Sequence, residues 1–178
     1  MRIIVYDTET TGLLLHPHAP LSAQPRIIEF AAVALEDGEI VNGGSLLINP
    51  EQEISAEISK ITGLTNEDLR DKPNFKDSLP KIRAAFKGSH RVMAHNLQFD
   101  KGMLFNELLR CGTDDAGIEW PPSEMCTVEL YQELWGFRPR LIQLYADVMG
   151  KPLAQTHRAM DDVMALVEII QKEKLWKL

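Results

Sequence analysis

Apolar side chains arrive along this chain in two rhythms. Ile3, Ile4 and Val5 stand in an unbroken row with no helical spacing, so residues 2–6 predict a buried strand that runs into Asp7. Residues 27–35 predict a second strand, and Leu46, Leu47 and Ile48 lie in a third, with hairpin-turn chemistry at Asp37-Gly38 between them. Three strands with short turns suggest an antiparallel meander. The rhythm then lengthens: Phe75, Leu79, Ile82 and Phe86 share one face of a predicted helix over 74–86, although Pro80 falls inside it. Residues 91–95 predict a short strand. Asn96 stands as the amino-terminal cap of a helix over 97–110, which Gly112 closes. A last strand is expected over 124–127, and helices over 128–135, 141–149 and 159–172. Segment 14–25, with Pro17, Pro20, Pro25, His16 and His18, reads as an irregular loop, and 112–122 as a polar connector. This order predicts an α/β fold with a mixed sheet and helices packed over it.

Length and composition narrow the picture without changing it. The 178 residues suit one domain over 1–178, with 44% hydrophobic and 25% charged residues. No apolar run approaches the roughly 18 residues of a membrane span, and the amino-terminal apolar stretch is too short for a secretory signal. Cys111 and Cys126 offer no disulfide framework, which favours a reducing, cytoplasmic compartment. The net charge of −7 argues against a broad basic surface for nucleic acid. Withdrawing four metal-ligand carboxylates from that balance more than halves it. A short, metal-mediated grip on a strand end fits such a charge better than a long duplex-binding face.

Candidate chemistry sits in three segments. Asp7-Thr8-Glu9-Thr10-Thr11-Gly12 ends the first strand, and residues i and i+2 of a strand share a face, so Asp7 and Glu9 can reach one ion or straddle two. Gly12 would turn the chain and let a ligand approach its backbone closely. In His95-Asn96-Leu97-Gln98-Phe99-Asp100, helical spacing puts Asp100 beside Met103 and Leu104, an inward face where a carboxylate needs a partner or a metal; an acid favouring the positive helix start is the alternative. In His157-Arg158-Ala159-Met160-Asp161-Asp162, Asp162 shares a face with Ala159, Leu166 and Ile169, whereas Asp161 aligns with Glu168 and Lys172 on a solvated stripe. Asp162 is therefore the ligand candidate. His157, on the loop entering that helix, can swing over the site as a general base. Four gathered carboxylates repel one another unless cations join them. Hard oxygen donors suit two Mg²⁺ or Mn²⁺ ions, which about 4 Å apart clamp the attacking and leaving oxygens of an in-line displacement. A neutral His157 can take the proton of the attacking water near pH 7. His16-Pro17-His18 reads as plain loop, and the spacing of Trp120, Trp135 and Trp176 does not separate base stacking from packing.

The three motifs, Asp-Thr-Glu-Thr-Thr-Gly, His-Asn-x-x-Phe-Asp and His-Arg-Ala-x-x-Asp, together resemble the DEDDh 3′–5′ exonucleases over nearly the whole chain. The resemblance implies a ribonuclease H-like fold with a five-stranded mixed sheet. It implies Asp7, Glu9, Asp100 and Asp162 as metal ligands and His157 as general base. It also implies that Leu13 packs on the terminal base, that Ile61 is a second wedge, and that Thr10, Asn96 and Phe99 line the terminal-nucleotide pocket. The expected activity is release of nucleoside 5′-monophosphates from the 3′ end of single-stranded DNA. RNA is the alternative substrate, and a non-catalytic nucleic-acid-binding module the alternative of another class; such a module should lose an acid or the histidine, and all five are present. The 14–25 loop is longer than the family's usual link. The chain ends soon after its last helix, whereas the family's proofreading subunit carries a further tail, which leaves a polymerase partner open.

Overall fold

The computed structural model describes residues 1–154 and 158–178. Five strands form one sheet: β1 (Arg2–Thr10), β2 (Ile27–Glu36), β3 (Glu39–Leu47), β4 (Arg91–Ala94) and β5 (Ser123–Cys126), in the order β3-β2-β1-β4-β5. β1, β2 and β3 pair antiparallel as a meander, while β1, β4 and β5 run parallel. The mixed sheet expected from the sequence is therefore present, in a ribonuclease H-like arrangement.

Alternation along β1 divides its side chains between two cores. Ile4 and Tyr6 pack with Phe75, Leu79 and Phe86 of α3 (Phe75–Phe86) and with Met103 and Leu104 of α4 (Leu97–Arg110). Ile3 and Val5 face the opposite way, onto Tyr131 of α5 (Thr127–Trp135), Leu144 of α6 (Leu141–Met149) and Val163, Leu166 and Ile170 of α7 (Ala159–Glu173). Helices thus cover both faces, as strands buried on both sides require. The carboxyl ends of the three parallel strands open together, the customary place for a site in such sheets.

Three features depart from the sequence reading. The third strand is β3, Glu39–Leu47; it begins directly after the turn and stops before Ile48. Its exposed outer half lacks the apolar alternation that marks a buried strand. Asp37 and Gly38 both take positive φ (51° and 89°), the geometry of a two-residue hairpin turn. Two short helices, α1 (Ala56–Thr62) and α2 (Asn66–Arg70), occupy a segment with little periodicity. Asn96 precedes α4 but does not cap it: it sits at φ 72°, ψ 47° and its side chain makes no cap bond.

The 14–25 loop is fastened to α4. Arg110 donates to the carbonyls of Leu21, Gln24 and Pro25 at 2.7, 2.8 and 3.3 Å. Leu14 lies over Gly102, where an added Cβ would come within 2.7 Å of its Cδ1. Trp120 stacks among Tyr6, Phe86 and Phe105, which accounts for it as packing.

Candidate active site

Continuing the β1 alternation past Val5 puts Asp7 and Glu9 on the α7 face of the sheet, at the open end of the strand. Asp162 lies in the first turn of α7, directly above them. One carboxylate oxygen from each of Asp7, Glu9 and Asp162 lies within 4.8 Å of the other two. All three are half-buried, and Asp161 is exposed. Asp100 comes from the first turn of α4, on the other face, and is buried. Its Oδ1 accepts from the Thr8 amide at 3.1 Å and the Thr8 hydroxyl at 2.7 Å, and Thr8 points to the α4 side because it alternates with Asp7 and Glu9. Asp100 therefore flanks the trio rather than sharing its 4.8 Å cluster.

Burial and the crowding of these acids disfavour their charged forms. Burial, then the carboxylates of Asp100, Glu9, Asp162 and Glu29, push the Asp7 carboxyl well above its ordinary range. Burial, then Asp162, Glu29 and Asp100, raise Glu9 to about 8, with Arg158 opposing. Burial raises Asp100 to about 7 against the two Thr8 hydrogen bonds. Crowded carboxylates that resist ionisation are what a divalent cation relieves. An all-oxygen donor set of this kind fits Mg²⁺ or Mn²⁺.

Two further residues of this neighbourhood were not singled out from the sequence. Glu29 lies opposite Glu9 in the β1–β2 register and is 1% exposed. Arg158 donates to both its oxygens at 2.9 Å, and the Ala159 amide adds a bond at 3.3 Å. This fork pins the amino terminus of α7 to β2 and thereby sets the position of Asp162. The available signal was an acid in the middle of an apolar strand, Ile27-Ile28-Glu29-Phe30, which demands a buried partner.

The remaining expected residues are distributed as follows. His157 lies outside the described residues. Thr10 is buried and its hydroxyl donates to the Gly12 carbonyl at 2.8 Å, closing the turn after β1. A Cβ on Gly12 would meet nothing within 4 Å, and its φ is not positive, so the turn itself does not demand glycine there. Leu13 is 80% and Ile61 46% exposed, large apolar side chains left facing solvent. Phe99 packs partly against the α3–α4 core. Asn96 is exposed and its Oδ1 accepts from Arg138 Nη2 at 3.2 Å. A cavity of about 560 Å³ opens beside the acids, walled by Asp7, Asp162, His95, Asn96, Arg138 and Arg140 among others.

Comparison with known proteins places this geometry in context. A family model described as Exonuclease (RNase_T) matches residues 4–170. The chain is 33% identical over 169 residues to a PolC-type DNA polymerase III of Clostridium perfringens, covering 94% of this chain and 11% of that protein. It is 33% identical over 167 residues to exodeoxyribonuclease 10 of Escherichia coli K12, covering 91% of this chain and 63% of that protein. It thus spans about a tenth of the polymerase's length and somewhat under two thirds of the exodeoxyribonuclease's. Among solved structures, exonuclease X in complex with 5′ overhanging duplex DNA superposes with a TM-score of 0.63 at 27% identity, covering 97% of this chain and 93% of the other.

Proposed function

Because the chain belongs to the DEDD-type 3′–5′ exonuclease family, we propose that it removes nucleoside 5′-monophosphates from the 3′ end of single-stranded DNA. The observation that carries this reading is the gathering of Asp7, Glu9 and Asp162 within 4.8 Å, with Asp100 beside them, at the open ends of the parallel strands. These four carboxylates would hold two divalent ions, Mg²⁺ or Mn²⁺. Such a pair, when bound, polarises the scissile phosphate and stabilises charge on the departing 3′ oxygen.

The chain's own groups supply the rest. Thr8 fixes the Asp100 carboxylate through two hydrogen bonds, so this ligand is oriented before any ion arrives. The Glu29–Arg158 fork holds α7 and with it Asp162. His157, one residue before Arg158, takes the proton of the attacking water as general base. Exposed Leu13 and Ile61 give the terminal base apolar surface to pack on, with Asn96, Phe99 and Thr10 near the sugar and phosphate. The free thiols of Cys111 and Cys126 accord with a reducing, cytoplasmic setting.

The test is product analysis on 5′-labelled single-stranded DNA and RNA of matched sequence, with Mg²⁺, with Mn²⁺ and with excess chelator. Stepwise shortening from the 3′ end, mononucleotide release, faster loss of DNA and arrest by chelator are expected. Faster loss of RNA would move the substrate assignment to RNA with the mechanism intact. Tight binding of strand ends without turnover in either metal would replace the enzyme by a binding module. A folded His157→Ala variant that keeps the parent's rate and pH profile would remove His157 from its role.

A further inference from the structure

We propose that Arg138 and Arg140, on the loop between α5 and α6, form a phosphate-binding wall facing the carboxylate cluster. The inference rests on the nuclease reading and adds a subsite to it. Both arginines line the 560 Å³ cavity that also contains Asp7 and Asp162, a size ordinary for a small-ligand site. Their described partners are neutral: Arg138 donates to Gln132 Oε1 and Asn96 Oδ1, both at 3.2 Å, and Arg140 Nε to Gln143 Oε1 at 3.5 Å. Neither guanidinium is ion-paired with a carboxylate among the described residues, so both charges are available.

The loop that carries them is held to the second motif. At neutral pH His95 is uncharged, because burial, aided by Arg138, lowers it to about 4 against its bond to Pro139. The Pro139 carbonyl can only accept, so the His95 Nε2–H donates to it at 3.2 Å, and Nδ1 accepts from the Thr127 hydroxyl at 3.0 Å. His95 thus holds the Pro139 carbonyl and Asn96 the Arg138 side chain, at the end of β4 where the acids also converge. The result is an acidic floor that suits cations beside a cationic wall that suits phosphate oxygens. A nucleotide strand presents both needs: its scissile phosphate sits over the metal ligands, and a neighbouring phosphate reaches the guanidinium forks. The phosphate could belong to the bound strand or to the released monophosphate.

The experiment measures binding of a fluorescent single-stranded oligonucleotide by anisotropy in chelator, without turnover, across a salt series. It also measures inhibition of hydrolysis by a nucleoside 5′-monophosphate. Arg138→Gln/Arg140→Gln is the variant, chosen because glutamine keeps amide contacts at the loop. Arg138→Lys/Arg140→Lys tests charge alone, and Lys172→Ala is a surface control. The glutamine pair should bind the strand about tenfold or more weakly, with a log–log salt slope reduced by about 1. It should raise KM more than it lowers kcat. The lysine pair should recover most of the salt slope. A loss confined to strand affinity assigns the wall to the strand, and a loss confined to monophosphate inhibition assigns it to the product. A folded glutamine pair within twofold of the parent in both measurements overturns the proposal while leaving the nuclease reading untouched. A parent that binds no strand in chelator and whose hydrolysis the monophosphate does not inhibit overturns the proposal; a folded parent that also hydrolyses no strand in Mg²⁺ or Mn²⁺ overturns both.

Discussion

Replacing Arg158 by alanine should damage this protein twice, through stability and through the position of Asp162. Glu29 is 1% exposed, and the two 2.9 Å bonds from Arg158 supply most of its compensation. Stranding a buried carboxylate costs roughly 3–5 kcal/mol when its partner is removed. The Arg158 side chain is 40% exposed, so solvent screens part of the pair and the Ala159 amide still donates. About 2–3 kcal/mol is therefore expected for Arg158→Ala. In a chain of this length that corresponds to a fall in Tm of roughly 4–12 °C. Glu29→Gln should cost less, about 1–2 kcal/mol, because the freed guanidinium can turn to water. The double-mutant cycle should give a coupling of about 1–2 kcal/mol. Urea unfolding of the four proteins in chelator provides these numbers. In saturating Mg²⁺ the folded Arg158→Ala protein should also lose at least about tenfold in kcat, because displacement of α7 moves a ligand carboxylate by a distance to which chemistry is sensitive. A coupling below about 0.5 kcal/mol, with kcat unchanged, would refute the idea that this fork sets the site.

The raised carboxyls predict an inverted pH dependence for the metal-free protein. The folded state keeps protons on Glu9 up to about 8 and on Asp100 up to about 7, whereas the unfolded chain releases them near 4.5 and 3.8. Stability should therefore fall as pH rises from about 5 to 8. Thermal melts in chelator check this: Glu9→Gln should flatten the slope, Mg²⁺ should oppose it, and a stability that rises over that window would contradict it. Gly38 takes φ +89° and an added Cβ would come within 2.7 Å of the Trp176 ring. Gly38→Ala should therefore cost about 1–3 kcal/mol with activity per folded molecule unchanged, and a melting curve identical to the parent's would show that the turn and ring can give way.

Much of this architecture could be read from the chain because periodicity reports burial. The unbroken Ile3-Ile4-Val5 row and the Phe75–Phe86 spacing mark elements packed in the two cores, and both are found there. Helical spacing also separated exposed Asp161 from half-buried Asp162. Elements stabilised by other means were less legible. β3 is an exposed edge, where a Cβ on Gly43 would come within 3.0 Å of Val33 Cγ2, and exposed edges carry no apolar rhythm. α1 and α2 are too short for periodicity, though their punctuation was present: Ser55 caps α1, Gly63 ends it in the left-handed region, and Thr65 and Asp68 form a capping box. Asn96 has a residue type that favours caps, yet its side chain is engaged by Arg138 across the site. Such long-range partnerships, like Glu29 with Arg158 and Thr8 with Asp100, depend on how the sheet brings distant segments together. Local sequence can show that a residue such as Glu29 needs a partner, but it does not name the partner.

The proposed chemistry requires Asp7, Glu9, Asp100 and Asp162 to act as one metal-binding unit. The decisive measurement is a Mn²⁺ titration of the purified protein followed by electron paramagnetic resonance, with a nucleoside 5′-monophosphate present. The parent should take up two ions, and folded Asp7→Asn and Asp162→Asn variants should each lose at least about tenfold in affinity for one or both. Variants that bind two ions as tightly as the parent would show that these carboxylates do not hold the metals.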